Sequence, residues 1–221
     1  MPRRKAPAGD ESALKDAVLA TALACDPFDG FGDAALARAC REAGVGAEMV
    51  LHLFPDGPAS LVEFYSANAD ARMERRLAKE GLSSLKVRER IAAAVLARLS
   101  VLKPHKEAAR RAAAFLMLPM HAALGATLVY RTVDAMWRAA GDTSTDFNFY
   151  TKRAILAGVY SATLMRWFTD SSEGETETSG FLSARIENVM RFEKFKAEAR
   201  ERAKDWPSLG EIVDRFSARR S

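Results

Sequence analysis

The sequence lacks most of what catalysis requires. Its three histidines, His52, His105 and His121, never fall at helical ligand spacing, and no Glu-x-x-His occurs. A carboxylate-bridged di-iron bundle is therefore not encoded. Cys-x-x-Cys, Gly-x-Gly-x-x-Gly and Gly-x-Ser-x-Gly are all absent, which removes a dithiol redox motif, a dinucleotide cradle and a nucleophile elbow. Asp142 and Asp146 are the one candidate acid pair, and at the start of a helix they read as caps. Nothing supplies a nucleophile with its base, so a non-catalytic protein without metal or cofactor is expected. No run of about 18 apolar residues exists, so no spanning helix is expected. MPRRKAPAGD has no apolar stretch behind it; a secretory signal is not expected, and the start is too short and too soon acidic for a transit peptide. The two cysteines, Cys25 and Cys40, lie on apolar helical patterns and read as reduced, buried thiols. Strand-like alternation is missing throughout.

What is present is helical periodicity and an uneven distribution of charge. The chain has 221 residues, 48% of them hydrophobic, and a formal excess of only +4. From Asp16 to Ala71 two basic residues face nine acidic ones, whereas from Arg72 to Arg111 twelve basic residues face four acidic ones. The expected layout is all-α: a disordered tail over 1–10, a helix-turn-helix head over 11–56, a larger helical body over 57–205, and a C-terminal amphipathic helix over 206–221. In the head, Glu11 to Ala24 is one helix, Asp33 caps a second, and Ala43-Gly44-Val45 turns into a third ending at Pro55. In the body, helices are expected over 58–81, 85–102, 104–118, 122–140 and 180–205. The polar segment TDSSEGETETS over 169–179 reads as a loop.

The helix-turn-helix looks like the start of a TetR-type regulator, a three-helix head on an all-helical ligand-binding body. A DNA-reading head needs cations for phosphates and polar side chains for base edges. The third helix offers Gly46-Ala47-Glu48-Met49-Val50-Leu51-His52 instead. No nucleic-acid partner is expected.

The remaining helices gather around GDTSTDFNFYTKRAILAGVYSATLMRWF, residues 141–168. It is a capped helix start followed by a long helix that is apolar on more than one side, which places it inside a bundle. Phe147, Tyr150, Ala154, Ala157, Ser161, Leu164 and Phe168 share one side; Ile155, Val159, Ala162 and Met165 share another. A packed core helix accounts for this pattern, as does a helix lining a cavity.

The run DTSTDFNFYTKR, with LMLP at 116–119 upstream, resembles the coenzyme Q (ubiquinone) biosynthesis accessory proteins over about residues 11–201. The resemblance implies a TetR-like fold turned to isoprenoid-lipid binding, and a role in presenting a quinone precursor to the demethoxyubiquinone hydroxylase. It implies a partner surface at Leu118, Pro119, Asp146, Phe149, Tyr150, Lys152 and Arg153, where Phe149 replaces the family's usual Trp. Apolar residues of the later helices are the candidates for a lipid pocket: Phe115, Leu118, Leu128, Val129, Met136, Trp137, Phe147, Ile155, Val159 and Leu164. At the C-terminus Trp206, Leu209, Ile212, Val213 and Phe216 form an apolar face, suited to a membrane surface, to the bundle or to a second subunit. The expected location is cytoplasmic, at the inner face of a bacterial membrane, with the protein a homodimer. The alternative is a transcription regulator sensing a hydrophobic effector.

Overall fold

The computed structural model describes residues 8–24, 31–143 and 147–204. Its α-helices are α1 (Ala8–Ala24), α2 (Asp33–Glu42), α3 (Ala47–Leu53), α4 (Pro58–Glu80), α5 (Val87–Leu102), α6 (Lys106–Leu116), α7 (Ala122–Ala139), α8 (Phe147–Thr169) and α9 (Thr176–Lys204), joined in places by 3-10 turns. Among the described residues there is no strand. α1 begins inside the segment expected to be a disordered tail. The expected helix over 206–221, with Trp206, Leu209, Ile212, Val213 and Phe216, lies outside the described residues, as do Asp146 and Cys25.

α1 to α3 form the head. Gly44 adopts φ +71, and the turn closes with Val45 N–H donating to Cys40 O at 2.8 Å. Only glycine takes that backbone conformation without a Cβ penalty. Val18, Leu36, Cys40, Leu53 and Phe54 fill the space between the helices, and burial pushes the Cys40 thiol up. The outward face of α3 carries Ala47, Glu48, Leu51 and His52, with Leu51 73% exposed. His52 Nε2 lies 3.1 Å from Glu11 Oε1. The helix that would enter a groove has no arginine or lysine.

In the body, α8 packs chiefly on α7 and α9, with α5 and α6 also against it, and turns an inner face to the bundle. That face is Arg153, Leu156, Tyr160, Thr163 and Trp167, all buried, at spacings of three and four. It is neither of the two stripes expected from sequence; Ala154, Gly158 and Met165 are exposed. α5 starts at Val87, two residues later than expected, and Val87 is exposed. α6 starts after a 3-10 turn over Lys103–His105, not at Pro104.

The segment expected to be a loop over 169–179 is tighter than that. Asp170 Oδ1 accepts from Ser172 N–H at 2.8 Å and from its hydroxyl at 2.6 Å. Oδ2 accepts from Thr178 N–H at 2.8 Å and from its hydroxyl at 2.5 Å. These bonds start α9 at Thr176 and hold the Asp170 carboxyl below the usual carboxylate range. Beside it, Lys106 Nζ donates to Asp170 O at 2.8 Å and stands 4.9 Å over the ring of buried Trp167, whose indole donates to Glu175 at 2.8 Å.

A depressed folded pKa gives stability that is present above the unfolded value of about 3.9 and is lost as the pH falls toward the folded value. Asp170→Ala is therefore expected to melt roughly 2–6 °C lower at pH 7. The gap to the parent should close as the pH drops below about 4. Thermal melts across that range check it; a gap independent of pH would remove the carboxylate from the explanation.

Candidate functional site

Two features of the body are candidates. The first is a cavity of about 80 Å³ between α4, α5, α6, α7 and α8. α4 contributes Val62, Tyr65 and Ser66; α5 contributes Arg98 and Leu102. α6 contributes Ala109, Ala112, Ala113 and Leu116, α7 Leu128, Val129 and Thr132, and α8 Tyr160 and Leu164. The α6 wall is mostly alanine, so this helix approaches its neighbours with little side-chain interdigitation. A cavity of about 150 Å³ accommodates benzene, so a prenyl chain would require α6 to move outward.

The cavity has a polar end. Arg98, 3% exposed, has Nε 2.8 Å from Asp70 Oδ1, an ion pair off the hydrogen-bond line. Its Nη2 donates to Ser66 O at 3.3 Å and Ser66 Oγ at 3.2 Å. Thr132 donates to Asp70 Oδ2 at 3.0 Å. Arg98 Nη1 and the Tyr65 hydroxyl are buried and have no partner. Burial pushes the Asp70 carboxyl up against the opposing pull of Arg98. It also pushes the Tyr65 hydroxyl up to about 12.

The second feature is the seam where α8 starts on the end of α7. Arg153, 2% exposed, donates from Nε to Asp134 Oδ1 at 2.7 Å and from Nη1 to Asp142 Oδ2 and Phe149 O, both at 3.2 Å. Lys152 Nζ donates to Asp142 Oδ1 at 2.9 Å, and Trp137 Nε1 donates to Lys152 O at 3.2 Å. The guanidinium of Arg153 covers the Phe149 ring at 3.3 Å. Phe149 meets Tyr150 edge-on at 5.1 Å, and Tyr150 is 65% exposed.

These positions redistribute the residues singled out from sequence. Of the lipid candidates, Leu128, Val129 and Leu164 line the cavity. Met136 is buried in the core, while Ile155 and Val159 are half-buried away from the cavity. Phe115 stacks on His121 at 4.0 Å, Trp137 belongs to the seam, and Leu118 is 47% exposed. The Phe147 side chain lies outside the described residues.

Of the partner candidates, Arg153 is a buried internal strut, so it cannot form a contact surface. Phe149 is half-covered, whereas Tyr150 is exposed. Leu118 and Pro119 precede α7, whereas Phe149 and Tyr150 follow it. α7 has 18 residues, so about 27 Å of helix separates the two groups, and they do not form one compact patch. Asp142 is drawn into the seam by Lys152 and Arg153; Asp146, the other member of the candidate acid pair, lies outside the described residues. No cluster of three His, Cys, Asp or Glu side chains that could hold a metal occurs among the described residues. Sequence reasoning missed Tyr65 and Arg98 because it sought the pocket only in the later helices, and on α6 it singled out Phe115 and not the alanines.

The COQ9 family model matches residues 122–193, which include α7, the seam and α8. The ubiquinone biosynthesis protein COQ9, mitochondrial, of Bos taurus is 33% identical over 187 residues, covering 81% of this chain and 58% of the relative. Its Homo sapiens counterpart is 32% identical with the same coverage. COQ9-B of Xenopus laevis is 32% identical over 203 residues, covering 86% of this chain and 69% of the relative. The chain thus spans about three fifths of the length of the first two relatives. In fold it is similar to the TetR transcriptional regulator from Nitrosomonas europaea ATCC 19718, with a TM-score of 0.59 and 21% identity, covering 79% of this chain and 96% of that one. The expected architecture, a helix-turn-helix head on an all-α TetR-like body, is therefore the observed one. The expected bacterial location is corrected: these relatives are named mitochondrial proteins, which points to the mitochondrion and not to the inner face of a bacterial cell membrane. Identity at this level over most of the chain, together with the match across α7 and α8, means that the chain belongs to the COQ9 family.

Proposed function

We propose that this protein is a non-catalytic accessory of ubiquinone biosynthesis that binds an isoprenoid or quinone lipid and presents it to the demethoxyubiquinone hydroxylase. The observation that carries the reading is the largely apolar cavity between five helices, closed on one side by the alanine wall of α6. Apolar enclosure with a few polar groups suits an amphiphile, and each CH₂ buried contributes up to about 0.8 kcal/mol. Family membership and the relatives' names supply the pathway. The protein acts as a homodimer by analogy with TetR-like folds. It meets the membrane surface through residues 206–221, on their sequence pattern alone. The rival reading, a regulator sensing a hydrophobic effector, is disfavoured by the outward face of α3, which offers a phosphate backbone no arginine or lysine.

Tyr150 is the exposed aromatic at the α8 start and the proposed anchor for the hydroxylase. Truncating such an anchor costs about 2 kcal/mol or more, roughly a 30-fold loss of affinity. Tyr150→Ala should therefore keep copurified prenyl lipid, measured by mass spectrometry, while coprecipitation of the hydroxylase collapses. A stable variant that captures the hydroxylase as the parent does would move the docking surface elsewhere. Parent protein carrying no prenyl lipid would remove the lipid reading.

A further inference from the structure

The polar end of the cavity is unusual for a core that serves only packing. Arg98 has five N–H donors in a fixed fork. Its Nε faces Asp70 and its Nη2 is spent on Ser66. The two N–H groups of Nη1 remain, buried and without partner, and so does the hydroxyl of Tyr65. Both side chains line the same cavity, and both are more than nine-tenths buried. Leaving such donors unmade is costly, and native structures give each one a reason.

We propose that this end of the cavity is a head-group site for a neutral oxygen acceptor, a ring or ester carbonyl carried on an apolar chain, bound by Arg98 Nη1 and the Tyr65 hydroxyl. The inference rests on the lipid-binding reading above and adds what the lipid's head must be. Its neutrality follows from charge. Asp70 already balances Arg98, so the site offers donors with no net positive charge. A carboxylate or phosphate pressed against that pair would be a buried charge without a counter-ion, which is strongly disfavoured. A carbonyl oxygen accepts both donors and brings no charge. Leu102 and Leu128, beside it, meet the apolar part of the guest. The alanines of α6 let the wall yield to a ring that about 80 Å³ does not hold.

Tyr65→Phe separates this role from packing. It removes one hydroxyl to which no protein group is bonded, so a purely structural Tyr65 predicts equal or higher stability and no change in ligand choice. Delipidated full-length protein is titrated by calorimetry with decyl-benzoquinone, decylbenzene and decanoate. The parent should bind the quinone more tightly than either other probe. Tyr65→Phe should weaken the quinone about five- to tenfold, leave decylbenzene unchanged and keep the melting temperature. Arg98→Lys, which keeps a cation beside Asp70 and loses Nη1, should weaken the quinone in the same way.

Three results would overturn the proposal. If both variants bind the quinone as the parent does, these donors hold only buried water, and the lipid reading survives without this site. Tighter binding of decanoate than of the quinone would make the site one for anions. If the parent binds none of the three probes, the lipid reading fails and this inference fails with it.

Discussion

Arg98→Met should lose about 3–5 kcal/mol of stability at pH 8, a fall in melting temperature of roughly 6–20 °C. The substitution keeps much of the apolar stem and removes the cation, leaving Asp70 as a carboxylate beside α5 and α7 with only Thr132 donating to it. Breaking one partner of a buried pair costs more than the pair contributes, because the remaining charge is largely cut off from solvent. The sign with pH follows. Burial already raises the Asp70 carboxyl, and Arg98 is what pulls it down. Without Arg98 the folded pKa rises further, so the deficit is full above that value and shrinks as falling pH protonates the carboxyl. Urea unfolding at pH 8 and pH 5 reads this directly. Adding Asp70→Asn, which keeps an acceptor for Thr132, should recover much of the loss at pH 8. A single variant as stable as the parent at both pH values would show that water reaches the pair and carries its solvation.

Arg153→Met should cost about 2–4 kcal/mol and lower the melting temperature by roughly 4–16 °C. Its effect should be smaller than that of Arg98→Met because the acids keep other partners: Arg138 Nε is 3.3 Å from Asp134 Oδ2, and Lys152 holds Asp142. The loss should also be local. Arg153 ties the first turns of α8 to α7 and covers Phe149, so peptide-level hydrogen exchange over 147–156 should quicken well before that of α4 and α5. A uniform rise in exchange across the body would make Arg153 a general core residue and not the fastening of the seam.

The sequence disclosed the fold through its periodicities. Gly44 in a short turn between apolar helices announced the head, Pro58 and Gly81 bracketed α4, and the absence of cations on α3 was visible without coordinates. The candidate site was harder to see. α8 is apolar nearly all round, so spacing alone cannot choose among three stripes. Arg153, a charged residue on the stripe that is buried, pointed the reading away from it. The cavity draws on residues from 62 to 164, and its polar end pairs Asp70 with Arg98, which look like ordinary surface charges at the end of an acidic block and inside a basic one. Only the packing of α4 against α5 shows that they are inside. The start of α9 at Thr176 was hidden inside the expected loop for a related reason: the Asp-x-Ser-type side-chain bonds that Asp170 accepts from backbone N–H groups are short-range signals, and an acidic, serine-rich run conceals them.

The alanine face of α6 has a consequence for how such a chain can diverge. Ala109, Ala112 and Ala113 have no rotamers, so displacing the helix costs no side-chain entropy, and each position can gain carbons one at a time. A lineage can therefore resize the cavity through single substitutions on one short helix, while the polar residues on α4, α5 and α7 stay untouched. Capacity and polarity sit on separate elements, and selection can act on either one without disturbing the other.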